Sequence, residues 1–338
     1  MTASAEARAL LAQSPAIDLH ADTLMWARYV GYDMLTRHTP PLPKGAFFGH
    51  VDVPRMEEGG LGTQFFGLVS LPVLGRTRGL AQVVHEQIDQ LEQACARGRG
   101  RLQLVQDADA LVDVERSGAR AALLGIEGAH ALEGDLDNVR AFARRGVRYL
   151  GLLHFSANEL GAPAYGRGAD AEQGLTPFGH EVVAACEAEG VLVDLAHINQ
   201  RGFLQAAARA TRPPIVSHTG VLGAFEHWRN IDDTQLRAVA DKGGCVGVIF
   251  CPRFLGGDGI EAVVKHLRHI VDVIGEEHTA LGSDWDGMIV PTRGLADPTG
   301  LPDLVDALLR ADFSERAIRR LLRDNVLRVL EDAPARTP

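Results

Sequence analysis

The sequence predicts an α/β fold of the TIM type, a (β/α)8 barrel with insertions, and three observations carry that expectation. Eight β-type apolar runs, mostly separated by helical segments, share one chain of 338 residues; this suits a barrel better than an open doubly wound sheet. Histidines or carboxylates close most of those runs, as expected where the C-terminal ends of parallel strands share one mouth. Neither GxGxxG nor GxxxxGK[ST] follows any run, which removes the usual phosphate-cradling signatures of the alternative.

Taken in order, residues 4–13 suit a short helix, and PAIDLHAD is the first strand. In a strand His20 and Asp22 point the same way, because side chains repeat every two residues. Residues 23–60, rich in Pro, Gly and aromatics, form a long excursion with a turn of helix at Val53 to Glu58. LGTQFFGLVSL is the second strand, and GLAQVVHEQIDQLEQACARG an amphipathic helix with Leu80, Val83, Val84, Ile88 and Leu91 on its apolar face. A helix at Ala108 to Arg116 precedes the third strand, RAALLGIE, which ends at Glu127. After a helix at Leu136 to Arg145, VRYLGLLH is the fourth strand, ending at His154. Residues 155–175 are a Gly/Ala/Pro loop, and the next helix has Thr176 as N-cap, Pro177 at its first position and Gly190 just past its end. GVLVDLAH and PPIVSH are the fifth and sixth strands, closed by His197 and His218 and joined by a helix at Gln200 to Ala210. Asp232 to Lys242 is helical, GCVGVIF is the seventh strand, Ala262 to Ile274 is helical, and TALGSD is the eighth strand, ending at Asp284. Leu301 to Arg310 and Ser314 to Leu330 supply the closing helices. With no internal repeat and no low-complexity linker, residues 1–338 are expected to form a single domain.

Composition narrows the function classes. Hydrophobic content is 46% and net charge is −10, with the basic residues dispersed, so neither nucleic acid nor an anionic membrane surface is an expected partner. The four cysteines form no CxxC pair, and reduced thiols in the cytoplasm are the simpler reading. No apolar run approaches the ~20 residues of a membrane span.

The strand ends together offer His20, Asp22, Glu127, His154, His197, His218 and Asp284. Buried carboxylates need compensation, and a pair of divalent cations would supply it. Taken singly, a strand-end histidine is more often a hydrogen-bonded structural residue. That reading is kept for His38, His50, His85, His180, His227, His266, His269 and His278, which lie in helices or long loops. His130 is either structural or a support for the site. Asp18 and Asp194 are read as structural, since strand parity puts Asp194 on the face opposite His197; Cys245 and Cys251 are read as small buried residues. Convergence is what separates the others, because ligand-type residues at successive strand ends are hard to place by accident.

The residues that carry this pattern resemble those of the membrane (renal) dipeptidase family, a branch of the amidohydrolase superfamily. The matching segments are IDLHADT, GTQFFGLVS, GIEGAH, GVRYLGLLH, GLTPFGHEVV, GVLVDLAHIN, PPIVSH, WRNIDDTQL, ALGSDWDG and RDNVLRVLE, in family order over almost the whole chain. The resemblance implies a (β/α)8 metallohydrolase with two Zn²⁺ per subunit: His20 and Asp22 on one ion, His197 and His218 on the other, Glu127 bridging. It implies that Asp284, rather than Asp286, is the catalytic acid/base, that His154 lies near the scissile carbonyl and that Arg229 faces the substrate's C-terminal carboxylate. Two zinc ions about 3.5 to 4 Å apart bring a shared water's pKa toward about 7, so a metal-bridging hydroxide would attack the peptide bond of a dipeptide, L-Xaa-D-Xaa included. Ala21 stands where an asparagine is common in the family's HxD, and FSANELGAPAYGRG departs from the tryptophan-bearing segment of mammalian members. Their secretion and lipid-anchor signals are missing from this sequence, so membrane attachment is not expected. A homodimer is in keeping with the family.

Two further readings stand beside the zinc dipeptidase. One keeps the metals and changes the substrate to another amide, a lactam, a lactone or a tailored peptide. The other is a metal-binding barrel without catalysis, against which the intact Glu127 and Asp284 argue.

Overall fold

A computed structural model describes residues 3–72 and 78–333. Its strands are β1 (Ala16–Ala21), β2 (Leu61–Val69), β3 (Leu102–Leu104), β4 (Arg120–Glu127), β5 (Val147–Gly151), β6 (Leu192–Asp194), β7 (Ile215–Thr219), β8 (Cys245–Val248) and β9 (Thr279–Leu281). They run in the order β2-β1-β9-β8-β7-β6-β5-β4, and β4 returns to pair with β2 in an unbroken register from Thr63 opposite Ala121 to Val69 opposite Glu127. Every pairing is parallel. The result is the expected closed eight-stranded barrel with helices around it. β3 is an extra strand, set against Arg120 to Ala122 at the start of β4, where the sequence suggested only a connection.

Closure follows from what the strands contain. Their runs are apolar on both faces, and β1, β2, β5, β6, β7, β8 and β9 are buried along their whole length, as parallel strands covered by helices require. One core cluster draws on every barrel strand, through Ile17, Phe65, Leu123, Tyr149, Leu192, Ile215, Cys245 and Ala280; a barrel filled by side chains needs such a cluster. The larger cluster joins the strands to the surrounding helices, including Leu80–Arg97 and Ile260–Ile274.

Side-chain caps fix several helix starts, and the Thr176 cap is as the sequence reads. Ser4 caps Ala5–Gln13, Thr176 caps Pro177–Ala188, and Ser314 caps Glu315–Arg319 through side-chain oxygens. Two readings change. The excursion after β1 holds a helix at Thr23–Val30 besides Val53–Gly59, and the closing helix passes through a π-helical turn, Arg320–Asp324, before Asn325–Glu331. The excursion is fastened at the barrel mouth by Asp286, whose carboxylate accepts from the Thr23 hydroxyl (2.6 Å) and from the backbone N–H of Gly49 and His50 (2.8 Å each).

Candidate metal centre and active site

Five barrel strands deliver the ligand-type side chains. His20 lies in β1 with Asp22 just beyond it, Glu127 ends β4, and His218 lies in β7. His197 and Asp284 sit past the last residues of β6 and β9, on left-handed backbone with φ of 67° and 61°. That conformation is uncommon for non-glycine residues. The chain therefore turns before His197, so strand parity does not relate it to Asp194 as the sequence suggested.

The polar atoms converge. His197 Nε2 lies 2.9 Å from His218 Nε2 and 3.0 Å from Glu127 Oε1; His218 Nε2 is 3.5 Å from the same oxygen. His20 Nε2 lies 3.2 Å from Asp22 Oδ1, 3.6 Å from Glu127 Oε1 and 3.8 Å from Asp284 Oδ1. Three overlapping groups result: His20, Asp22 and Glu127; Glu127, His197 and His218; His20, His218 and Asp284. Within them His20 Nε2, Asp22 Oδ1 and Glu127 Oε2 are buried without a hydrogen-bond partner, a costly state for polar atoms unless something else binds them. Imidazole and carboxylate donors around a shared carboxylate are a donor set that suits zinc.

Electrostatics describe the same crowding. Burial opposes charge on His20, but the Asp22, Glu127 and Asp284 carboxylates outweigh it and raise the imidazole to about 10. Burial pushes Asp284 up to about 8 and Glu127 well above the ordinary carboxylate range. It drives His197 and His218 well below the usual histidine value and His154 to about 3. Burial favours protons on Glu127 and Asp284, where cations would relieve the repulsion, and the neutral imidazoles of His154, His197 and His218 present lone pairs.

His154 lies beyond β5 with Nε2 3.5 Å from Glu127 Oε2, and its ring meets His197 edge-on at 4.7 Å. Arg229, buried on the loop after β7, donates to the His218 carbonyl at 2.6 Å and sets Nη2 3.3 Å from His197 Nε2. All these side chains except His20 line a cavity of about 1050 Å³, whose remaining wall is largely apolar: Met25, Val69, Leu71, Phe155, Phe254, Met288 and Ile289 among others. The structure thus brings together every sequence-predicted site residue, while Asp286 is taken up by the excursion.

Sequence reasoning missed the supports. Tyr149 OH lies 2.7 Å from His20 Nδ1. Gly125 is bare because the Tyr149 ring crosses it, where a Cβ would come within 1.9 Å of the ring. Gly67 is bare because a Cβ would lie 2.3 Å from Asp22 Oδ1. Serine directly before a histidine ligand, as in Ser217–His218, is the sequence signal for one such support. His130 anchors the loop after His154, with Nε2 2.9 Å from Ser156 Oγ.

Comparison with known proteins places this geometry. The family model described as membrane dipeptidase (peptidase family M19) matches residues 4–337. A curated relative, dipeptidase tcpJ of Claviceps purpurea (strain 20.1), is 31% identical over 295 residues, covering 84% of this chain and 69% of the relative. Among solved structures, the dipeptidase AC, an M19 metallopeptidase, superposes with a TM-score of 0.82 at 30% identity over 94% of this chain and 98% of that one. A metallopeptidase from Rhodobacter sphaeroides, liganded with a phosphinate mimic of the dipeptide L-Ala-D-Ala, superposes with a TM-score of 0.82 at 28% identity over 94% and 99%.

Proposed function

The chain belongs to the membrane dipeptidase family, peptidase family M19, and is a metallo-dipeptidase; we propose that it works with two zinc ions held by His20, Asp22, Glu127, His197 and His218. The observation that carries the reading is the convergence of three overlapping donor groups with buried, unpartnered atoms. Three buried carboxylates, Asp22, Glu127 and Asp284, belong to these groups, and bound divalent cations would relieve their mutual repulsion.

Bound zinc supplies Lewis acidity, activating water and polarising a carbonyl. The chain's own residues do the rest. Burial raises Asp284 to about 8; bound cations would favour its ionised form, leaving it suited to accept a proton and hand it to the leaving amine. His154 is neutral at working pH and is positioned to donate an N–H toward developing oxyanion charge. Arg229 offers a planar cation to the free carboxylate of a dipeptide, which favours two-residue substrates over longer chains. A D-residue at the C-terminal position is included among the substrates, by analogy with the phosphinate complex of the Rhodobacter relative. The whole chain is read as one catalytic domain in the cytoplasm. The helix Ala5–Gln13 packs on Leu301–Arg310, with Ser4 N–H donating to Asp306 at 2.7 Å.

A cavity of about 1050 Å³ with a largely apolar wall also favours a second reading, in which the same centre cleaves an amide carrying a bulky apolar substituent. One experiment separates the two: chelator-stripped protein is reloaded with zinc and offered dipeptides, L-Ala-D-Ala and bulkier members among them. Zinc-dependent release of both amino acids is expected. Zinc uptake with no dipeptide cleaved would leave the second reading; no zinc uptake would sink both.

A further inference from the structure

We propose that Ser217 and Asp194 are positioning residues that fix the tautomer of His218, so that its Nε2 lone pair faces the metal; the role rests on the metallo-dipeptidase reading.

Asp194 ends β6, and Ser217 and His218 are consecutive in the adjacent β7. All three are at most 1% exposed. Asp194 Oδ1 accepts two backbone N–H groups, from Ala196 at 3.1 Å and from Ser217 at 2.8 Å. Asp194 Oδ2 accepts the Ser217 hydroxyl at 2.7 Å. Burial raises the proton affinity of Asp194, and the three donors that face its carboxylate oppose that shift by favouring the ionised form. A serine hydroxyl has one hydrogen, and here it is directed to Asp194. The Ser217 oxygen, 2.9 Å from His218 Nδ1, therefore has only lone pairs left for the ring, so Nδ1 carries the imidazole proton. Nε2, the atom facing Glu127 and His197, is left bare. Ser217 has no room to drift, because the glycines across from it leave its carbonyl within 2.2 Å (Gly247) and 1.9 Å (Gly282) of where a Cβ would sit.

The molecule holds a control for this idea. Asp18 and Ser283 form the same two bonds, backbone N–H to Oδ1 at 2.7 Å and hydroxyl to Oδ2 at 2.6 Å. There the hydroxyl's other neighbours are backbone groups, the His20 carbonyl at 3.1 Å and the Trp285 N–H at 3.1 Å, and no imidazole. Both pairs stitch neighbouring strand ends; only Ser217 reaches a histidine ring.

The test uses nitrogen-15 NMR of metal-free protein to locate the His218 proton, the signal being assigned by its absence in His218→Gln, and chelator competition to measure zinc affinity. In the wild type the proton is expected on Nδ1. In Asp194→Asn the two backbone N–H donors keep the amide oxygen at the Oδ1 place, so the amide nitrogen faces Ser217. The hydroxyl must then turn its hydrogen to His218 Nδ1, and the proton moves to Nε2, although the number of hydrogen bonds is unchanged. That variant and Ser217→Ala are each expected to lose about 10- to 100-fold in affinity for one zinc ion, whereas Ser283→Ala stays within about threefold of the wild type. A wild-type proton on Nε2, an unshifted proton in Asp194→Asn, or equal zinc loss in Ser217→Ala and Ser283→Ala would overturn the assignment. Should Ser217→Ala not fold, Asp194→Asn decides alone. Failure of the wild type to take up zinc would count against the metal reading, while the NMR result would still judge the tautomer.

Discussion

Asp284 combines an elevated proton affinity with a left-handed backbone, a conformation asparagine also tolerates. Asp284→Asn therefore keeps the fold and removes the proton acceptor; kcat is expected to fall by ~10² to 10⁴, and a rate near wild type would reject the acid/base role. Arg229 is buried, with its guanidinium on the His218 carbonyl and beside His197. Arg229→Met should lower kcat/KM by about 2 to 5 kcal/mol for a dipeptide with a free carboxylate, and by much less for its C-terminal amide. Equal losses on both substrates would mean that Arg229 serves the metal ligands, not the substrate. At this scale the sequence was most legible where chemistry concentrates at strand ends. His20, Asp22, Glu127, His197, His218 and Asp284 announce themselves by type and position. Tyr149 and Ser217 do not, because each matters only through an atom on a neighbouring strand: a phenol against His20 and a hydroxyl between Asp194 and His218.

The strands were legible as apolar runs, yet several stop short of their functional residue. β6 and β9 are three residues each, and the turns beyond them aim His197 and Asp284, something period-two alternation does not describe. The helix Thr23–Val30 escaped notice because no side-chain cap marks its start and Pro- and Gly-rich sequence follows. β3 is too short to show a period at all. One element-level prediction comes from β4 and β5. A methyl group at Gly125 would lie 1.9 Å from the Tyr149 ring, so Gly125→Ala must move that ring off His20. A destabilisation of ~1 to 3 kcal/mol is expected from overpacking, together with weaker zinc binding. Urea unfolding and zinc titration measure the two effects, and an unperturbed zinc affinity would separate Tyr149 from the metal site.

Across the whole molecule, the outer helices are tied to the barrel by buried polar groups as well as by apolar packing. His266, on the helix Ile260–Ile274, accepts from the Val221 N–H at 2.9 Å and faces the Leu255 carbonyl at 3.2 Å, and burial lowers it to about 4. The folded protein thus keeps this ring neutral, whereas the unfolded chain protonates it below about 6.5. Its contribution is complete above that pH and is lost as pH falls toward 4, up to about 3 kcal/mol. Metal-free wild type should lose stability relative to His266→Gln over that interval; parallel curves would show that the ring does not couple to folding. The ring of strands also closes in a particular order. His20 comes from the first strand and Asp284 from beyond the last, and the Asp284 N–H donates to the His20 carbonyl at 3.1 Å while the Asp22 N–H donates to Trp285 at 2.9 Å. A ribosome delivers these two ends far apart in time. Until residue 285 has emerged and threaded into place, the first histidine has no neighbour across the seam, and a nascent chain that already carries all five proposed zinc ligands still lacks Asp284. Completion of the barrel mouth around Asp284 is then among the last events in the life history of a new molecule, and fragments cut short before the final strand are expected to lack the proposed acid/base.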